Sequence, residues 1–231
     1  NDKLGGNLIL AAGPPFKADM KRYLNWLSQK TLHDSNITVR FNIEATVKVV
    51  EAEEPDVIIV AVGAEPIIPD IPGVKRDNVV MAGDVFAGRV HAHMGDAVVV
   101  VGAGLTGCEA ALLIAQQGKR VSIIDVLEHE QVFSDVPRGL MQLLQKHEVS
   151  FITDVKLEEI TDRGVVVIDK AWERHEIVAD TVVFATGLKP RGEIAAVFKN
   201  LTADVYVIGD ACKPQNLKQA IHDGFNVAVE L

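Results

Sequence analysis

The sequence has few of the residues that mark a cross-linked or metal-bound protein. Of its 231 residues only two are cysteines, Cys108 and Cys212. Because they lie far apart in the chain, they form neither a disulfide framework, nor a CxxC redox motif, nor a zinc motif. We therefore expect both to be small packing residues in the interior.

Positive charge and long apolar runs are also scarce. The chain has 23 Lys and Arg against 32 Asp and Glu, a net charge of -9, whereas nucleic-acid-binding surfaces are basic. No apolar run approaches the roughly 18 residues of a membrane span. The first residues have neither the basic nor the apolar region of a secretory signal. We expect a soluble, cytoplasmic protein that binds neither nucleic acid nor membrane.

The sequence does contain short apolar runs that alternate with helical patterns, which is typical of a layered α/β fold. The predicted strands cover residues 37–41, 56–63, 97–101, 120–125, 149–153, 181–187 and 204–210. The predicted helices cover residues 18–30, 108–117, 137–147 and 216–231. Three alternating runs between residues 155 and 179 predict an antiparallel β-meander. The strand at 56–63 is nearly all apolar, so we expect it to be buried on both faces.

A proline-rich stretch, AEPIIPDIPG (64–73), interrupts this alternation. Because proline cannot donate to a strand ladder and blocks a helix, the stretch predicts an extended crossing near a domain boundary. The segments VIIVAVGAEP (57–66) and TVVFATGLKP (181–190) share an apolar strand, a small-x-Gly turn and a proline. Two related units, one of them interrupted, would explain this repetition.

The clearest motif is VVVVGAGLTGCEAA, in which a strand, a glycine-rich turn and a helix follow in order. Gly102 makes the tight turn, Gly104 lets a pyrophosphate approach the backbone, and Gly107 allows close packing of helix on strand. The N–H groups and the dipole at the helix start, near Leu105 and Thr106, favour the phosphate charge. The motif predicts dinucleotide binding, and a purely structural glycine turn is the alternative.

Asp125 ends the next strand, where an acid accepts hydrogen bonds from the adenosine ribose. The residues at 126–128 offer no cation for a 2′-phosphate, which favours NAD(H) over NADP(H). Arg120, on the same strand, keeps that choice open. The alternative for Asp125 is a solvent-exposed acid at the end of a strand.

A second turn, Gly209–Asp210, places a carboxylate between a strand and the last helix. An acid there can simply cap a helix. Together with the repeated strand-glycine-proline segments, it looks like the flavoprotein signature in which the aspartate binds the ribityl chain of FAD.

The chain resembles the C-terminal part of the NADH:flavin oxidoreductase family that includes 2,4-dienoyl-CoA reductase, 2-enoate reductase and trimethylamine dehydrogenase. The resemblance rests on KLGGNL (3–8), PDVIIVAVGAEPIIPDIPG (55–73), GAGLTGCE (102–109), FATGLKP (184–190) and the segment from VYVIGDACKP to AIHDG (205–224). It implies a Rossmann-like three-layer NAD(H)-binding domain with a β-meander, inserted in a truncated FAD-type domain. Residues 74–188 would form the first, and residues 1–73 and 189–231 the second, whose first GxGxxG unit is missing.

The resemblance also implies the chemistry and the roles of residues. NADH would pass hydride to FAD, and electrons would continue through an iron–sulfur cluster and FMN in a missing N-terminal barrel to reduce an activated C=C bond. No side chain of this chain would be catalytic. Glu109 would lie toward the nicotinamide or be a surface or structural acid. The cofactor-binding set is completed by Gly187, Gly209, Asp210 at the ribityl chain, and Leu217 and Lys218 near the flavin ring.

Two other functions remain in view. A dithiol–disulfide reductase on the same fold is disfavoured because the chain has no CxxC motif. The alternative function is an NAD(H)-binding module without turnover, for sensing or assembly. It remains an alternative because half a flavin site would bind FAD only weakly. We expect no metal site, since His91 and His93 lack a third ligand. We expect the isolated chain to be colourless and inactive and to bind NADH at best modestly; a homo-oligomer is compatible with the sequence.

Overall fold

We describe the fold from a computed structural model, which covers residues 1–90 and 93–231 apart from the side chains of residues 133 and 135. The described helices are α1 (Asn7–Ala11), α2 (Ala18–His33), α3 (Val47–Glu51), α4 (Ala82–Phe86), α5 (Leu105–Ala115), α6 (His129–Asp135), α7 (Arg138–Lys146) and α8 (Leu217–Glu230). The strands are β1 (Val57–Val60), β2 (Ala64–Pro66), β3 (Val79–Met81), β4 (Ala97–Val101), β5 (Arg120–Ile124), β6 (Ser150–Ile152), β7 (Val155–Ile160), β8 (Gly164–Asp169), β9 (Arg174–Val178), β10 (Thr181–Phe184), β11 (Leu188–Pro190) and β12 (Asp204–Val207). None of the described helices combines the length and the apolar character that crossing a membrane requires.

The chain divides into two compact units. The insert unit comprises Pro66–Gly187, and the split unit comprises Asn1–Glu65 together with Leu188–Leu231. Most of the proline-rich stretch belongs to the insert unit, because the Ile160 N–H donates to the Pro72 carbonyl at 2.9 Å. The stretch is therefore fastened to the meander rather than left as a free crossing.

A five-stranded parallel sheet forms the centre of the insert unit, in the order β3-β10-β4-β5-β6. Every residue of β4 is buried, and successive side chains of a strand point to opposite faces. Val98 and Val100 join the core cluster of helices α4, α5 and α7. Val99 and Val101 join the cluster of the antiparallel meander β7-β8-β9. Helices, parallel sheet and meander thus make three layers, which confirms the predicted fold class and the meander.

The split unit has a smaller core. Strands β1 and β12 form a two-stranded parallel sheet, and β2 and β11, which end the two repeated segments, pair with each other. The buried core cluster consists of Ile58, Val60, Ala195 and Phe198. The two longest helices, α2 and α8, have no buried residue. Many apolar side chains of this unit therefore stay in contact with solvent.

Two strand predictions in the split unit are wrong. Residues 37–41 form no strand and belong to none of the described sheets. The strand predicted for 56–63 is shortened to β1 and is buried on one face only. Ile58 and Val60 are buried, but Ile59 between them is 43% exposed. A sheet of two strands covered on one side leaves alternate side chains in solvent.

Candidate dinucleotide-binding site

Three glycines shape the turn between β4 and α5, and each meets a different steric demand. Gly102 has a φ of 105°, and a Cβ there would lie 2.5 Å from the Ala185 carbonyl oxygen. A Cβ on Gly107 would lie 1.9 Å from the Gly102 carbonyl oxygen. At Gly104, in contrast, nothing lies within 4 Å of an added Cβ. The backbone is thus closely packed at Gly102 and Gly107, whereas the space next to Gly104 is open. A pyrophosphate needs such open space to approach the backbone.

Helix α5 begins at Leu105, three residues before the predicted start at 108. Gly107 lies in the first turn of this helix, at a position where only a residue without a side chain fits against the Gly102 carbonyl. The first N–H groups of a helix have no intrahelical acceptor and sit at the positive end of its dipole. Leu105 and Thr106 are exposed, so this helix start is accessible to an anion.

Asp125 follows β5 and fastens the glycine turn. The Ala103 N–H donates to its Oδ2 at 2.6 Å, and the Leu127 N–H donates to its Oδ1 at 2.8 Å. The side chain is half-buried and holds the turn, so it is not a freely exposed acid, and its role toward a ribose stays a prediction. A carboxylate has about four acceptor positions, so it can hold these N–H groups and still accept from ribose hydroxyls.

Arg120 does not reach this acid. It is the first residue of β5 and Asp125 follows the last one, and a strand rises by about 3.3 Å per residue. The two residues therefore lie at opposite ends of the strand, roughly 16 Å apart. The cation that the sequence left open is therefore not a neighbour of Asp125.

A different cation, absent from the sequence prediction, lies beside the loop at 126–128. The Lys170 Nζ is 2.6 Å from Glu128 Oε1 and 2.6 Å from Asp154 Oδ1. Sequence reasoning missed this triad because Lys170 is more than forty positions after Glu128 (separation 42). Only the meander, folded back over the sheet, brings the two together.

Glu109 and its neighbour Cys108 are buried in α5. Glu109 is 8% exposed, so the option of a surface acid is wrong, and its role toward a cofactor stays a prediction. The Cys108 thiol donates to the Ala103 carbonyl at 3.3 Å. Burial first, and then the charges of Glu109 and Asp125, raise the pKa of Cys108 to about 12. The predicted packing role of Cys108 is confirmed.

Gly187 is the last residue of the insert unit. It follows β10 at the end of the parallel sheet where the glycine turn follows β4. It has a φ of 94°, and its carbonyl accepts from the Ile67 N–H at 3.1 Å. The Thr186 hydroxyl donates to the Ile67 carbonyl at 2.6 Å. Since Ala185 touches Gly102, the segment leaving β10 and the glycine turn are immediate neighbours.

In the split unit, Gly209 and Asp210 form a turn before α8. Gly209 has a φ of 59°, and Asp210 Oδ1 accepts from the Gln215 N–H at 3.2 Å. Sequence reasoning missed Asp223, whose Oδ2 accepts from the Gly209 N–H at 3.1 Å. Its Oδ1 accepts from Gln219 Nε2 at 2.8 Å. Asp223 therefore does for this turn what Asp125 does for the other.

A shallow depression of about 380 Å³ lies at the start of α8. Leu217 and Lys218 line it together with Tyr23, Ile221 and His222. The side chain of Asn216 caps this helix by accepting from the Gln219 N–H at 3.0 Å. The structure thus brings Gly209, Asp210, Leu217 and Lys218 to one end of α8.

Cys212 is exposed, so its predicted interior position is wrong. It follows the short 3₁₀ helix Gly209–Ala211 and its N–H donates to the Gly209 carbonyl at 2.9 Å. The inner side of that helix is taken by Ala211, which is 1% exposed. The next residue therefore faces solvent.

Among the described residues, one group has the spacing of a metal site. Asp169, Glu173 and His175 bring ligand atoms within 4.8 Å of one another. Asp169 Oδ1 already accepts from the Ala171 and Glu173 N–H groups, and Oδ2 lies 2.7 Å from His175 Nε2. These bonds order the turn between β8 and β9. The histidine pair at 91 and 93, where we expect no metal, includes a residue outside the described part of the chain.

A parallel α/β sheet with a glycine turn, an accessible helix N-terminus and an acid after the next strand defines a dinucleotide-binding protein. The family model described as pyridine nucleotide-disulphide oxidoreductase matches residues 18–224. The chain belongs to this family, which implies binding of FAD and of NAD(P)H.

Several characterised proteins are similar to the chain along its whole length. The NADH oxidase of Thermoanaerobacter brockii is 35% identical over 233 residues, covering 99% of this chain and 36% of that protein. The cinnamate reductase of Clostridium sporogenes is 29% identical over 233 residues, covering 99% of this chain and 34% of that protein. A solved complex of 2-naphthoyl-CoA reductase with 2-naphthoyl-CoA matches with a TM-score of 0.86 and 29% identity, covering 100% of this chain and 35% of that one. The chain spans about a third of the length of these relatives.

Proposed function

We propose that this chain is the NAD(H)- and FAD-binding module of a flavin-dependent oxidoreductase. In the proposal, NADH passes hydride to FAD for the reduction of an activated C=C bond in a separate barrel domain. The glycine turn carries the proposal, because it combines a closely packed backbone with open space above Gly104. Residues 74–188 would form the NAD(H) domain, and residues 1–73 and 189–231 the FAD-type domain.

The residues of the insert unit fit a dinucleotide. The start of α5 would hold the pyrophosphate through the N–H groups of Leu105, Thr106 and Gly107. Asp125 would accept the adenosine ribose hydroxyls while its bond to Ala103 keeps the turn in shape. The cation that lies beside this loop, Lys170, is already paired with two carboxylates. This arrangement favours NADH over NADPH.

The flavin half of the proposal rests on the split unit and the family. Asp210 would bind the ribityl chain, and the backbone at Leu217 and Lys218 would approach the flavin ring. Glu109 would lie on the nicotinamide side from its buried position in α5. Iron–sulfur cluster, FMN and barrel would belong to the other two thirds of a protein as long as its relatives. The module would itself be cytoplasmic.

The names of the relatives support the class of substrate. Cinnamate, in the name of one relative, has a carbon–carbon double bond conjugated to a carboxylate. Such a bond is activated toward hydride, which is the reaction we propose for the complete enzyme. The substrate itself would be recognised outside this chain.

The experiment is a calorimetric titration of the 231-residue chain with NADH and with NADPH. We expect tighter binding of NADH, and a loss of at least about 100-fold for Gly104→Leu because the side chain fills the pyrophosphate space. Gly139→Leu is the matched control, since a Cβ there also meets nothing within 4 Å but lies in α7. Unchanged NADH affinity in Gly104→Leu would show that the turn is not the phosphate site.

The flavin assignment has its own readout in the same preparation. We expect the purified chain to be colourless, because the flavin site has only the residues of the split unit. Chain that retains stoichiometric FAD would contradict the idea that a further segment completes that site. A second measurement uses the complete protein. If that protein binds NADH but transfers no hydride to FAD, the non-catalytic sensing or assembly module is favoured.

A further inference from the structure

Lys170 is the cation that the fold places beside the predicted ribose site. It follows β8 at the turn toward β9, and its Nζ lies between Glu128 Oε1 and Asp154 Oδ1, 2.6 Å from each. These hydrogen bonds and charges raise the pKa of Lys170, the Asp154 contribution being the larger. Its side chain is 63% exposed and that of Glu128 is 64% exposed. The pair is therefore accessible to a bound ligand.

The loop that would surround the ribose is fastened to this triad. The Asp154 N–H donates to the Leu127 carbonyl at 3.1 Å, and the Val155 N–H donates to the Asp125 carbonyl at 3.0 Å. The loop after β5 is thus joined to the start of β7, and Glu128 at its end reaches Lys170. On its other side, Asp125 holds the glycine turn.

The charges of this region oppose a 2′-phosphate. The phosphate of NADPH carries close to two negative charges at neutral pH, as phosphomonoesters do. It would meet the carboxylates of Asp125 and Glu128, while Lys170 is shared between two acids. Arg174, which follows Lys170 in the meander, lies 2.7 Å from Glu158 and 3.6 Å from Glu159 and is engaged as well.

We propose that Lys170 is a specificity-determining residue of the nucleotide site, and that Glu128 sets the preference for NADH by keeping this lysine engaged. Without Glu128, Lys170 has one acid partner left and can pair with a 2′-phosphate. The fold therefore contains a latent NADPH contact on the meander that one acid suppresses. This inference rests on the proposed NAD(H) site.

The test compares dissociation constants for NADH and NADPH in the full 231-residue chain. In Glu128→Gln we expect the ratio of NADPH to NADH affinity to rise about three- to tenfold, since an acid is lost and a charge-assisted contact becomes available. In the double variant Glu128→Gln with Lys170→Met we expect most of that gain to disappear. Glu176→Gln is the matched control, because its carboxylate pairs with Arg163 at 2.9 Å in the same meander.

The outcomes separate the two proposals. NADH binding that is normal in the parent chain, with an unchanged NADPH-to-NADH ratio in Glu128→Gln, overturns the role of Lys170 alone. A gain that survives Lys170→Met also overturns it, because lost repulsion would then explain the shift. A parent chain that binds neither nucleotide overturns the proposed function itself. Thermal unfolding of each variant shows whether the meander has stayed folded.

Discussion

The two units of this chain place similar turns on very different supports. In each, a glycine with positive φ follows a parallel strand, and an aspartate accepts a backbone N–H of the turn. Yet α5 in the insert unit is buried along most of its length, whereas α8 in the split unit has no buried residue. The same local chemistry is therefore embedded in a core in one unit and lies on a surface in the other.

The difference comes from how many strands each unit brings together. Five parallel strands with layers on both faces bury apolar side chains on both sides of the sheet. Two strands bury one small cluster around Ile58 and Phe198. Apolar burial contributes about 25 cal/mol per Å² against a backbone ordering cost of about 1–2 kcal/mol per residue. We expect the insert unit to hold its turn by itself and the split unit to depend on further contacts.

Of the substitutions that test this difference between the units, Gly107→Ala should have the largest effect on stability. The added Cβ would lie 1.9 Å from the Gly102 carbonyl oxygen, which is backbone and cannot give way. We expect a loss of at least about 3 kcal/mol in the free energy of unfolding of the insert unit. Urea unfolding followed by circular dichroism measures it. Gly139→Ala, in the open helix position, should change stability by no more than about 1 kcal/mol, in the stabilising direction; equal effects would mean that the turn can relax.

A matched pair of valine substitutions sharpens the comparison. Val100 in β4 is fully buried, so Val100→Ala should cost about 2–3 kcal/mol through lost burial and a cavity. Val205 in β12 is only half-buried beside its small cluster, so Val205→Ala should cost less than about 1 kcal/mol. Unfolding free energies from urea titration of the two variants give the answer. Similar losses would show that the two cores are equally tight.

Chemical modification of the two cysteines is the mildest test, because it measures the accessibility of each thiol in the unaltered chain. Cys212 is exposed and Cys108 is buried with a pKa raised to about 12. At pH 8 the Cys108 thiol stays protonated in the folded chain, because its pKa lies well above that pH, so a thiol reagent should modify Cys212 at least about ten times faster. Ellman's reagent should therefore report one fast thiol in the native chain and two in denaturant. Loss of the slow thiol, instead of the fast one, in Cys212→Ser would contradict this assignment.

Local patterns predicted the insert unit well. The buried strand at 97–101 has the bounds of β4, and the three runs between 155 and 179 form the meander. Each of these patterns is satisfied by neighbours that the same unit supplies. The strand expected at 37–41 failed because its apolar residues give a propensity but not a partner, and a strand exists only as part of a sheet.

The sequence did not reveal the contacts between residues that lie far apart in the chain. Asp125 could be read from its place after β5, but its bond to Ala103 could not. Lys170 lies in no motif, and Asp223 lies in the AIHDG segment without a partner that the sequence identifies. Each reaches its partner only through the path of the chain. The same holds for Cys212, whose exposure depends on which side of a short helix Ala211 occupies.

The sequence by itself determined the three-glycine turn, the acid after the next strand and the α/β class. These depend on backbone conformation and side-chain size over a few residues, which the order of residues fixes directly. The tertiary structure decided which cation lies beside the loop that follows Asp125 and which of two similar turns is held by a core. Those properties arise from elements far apart in the chain, because charges and apolar faces interact through space and not along the sequence.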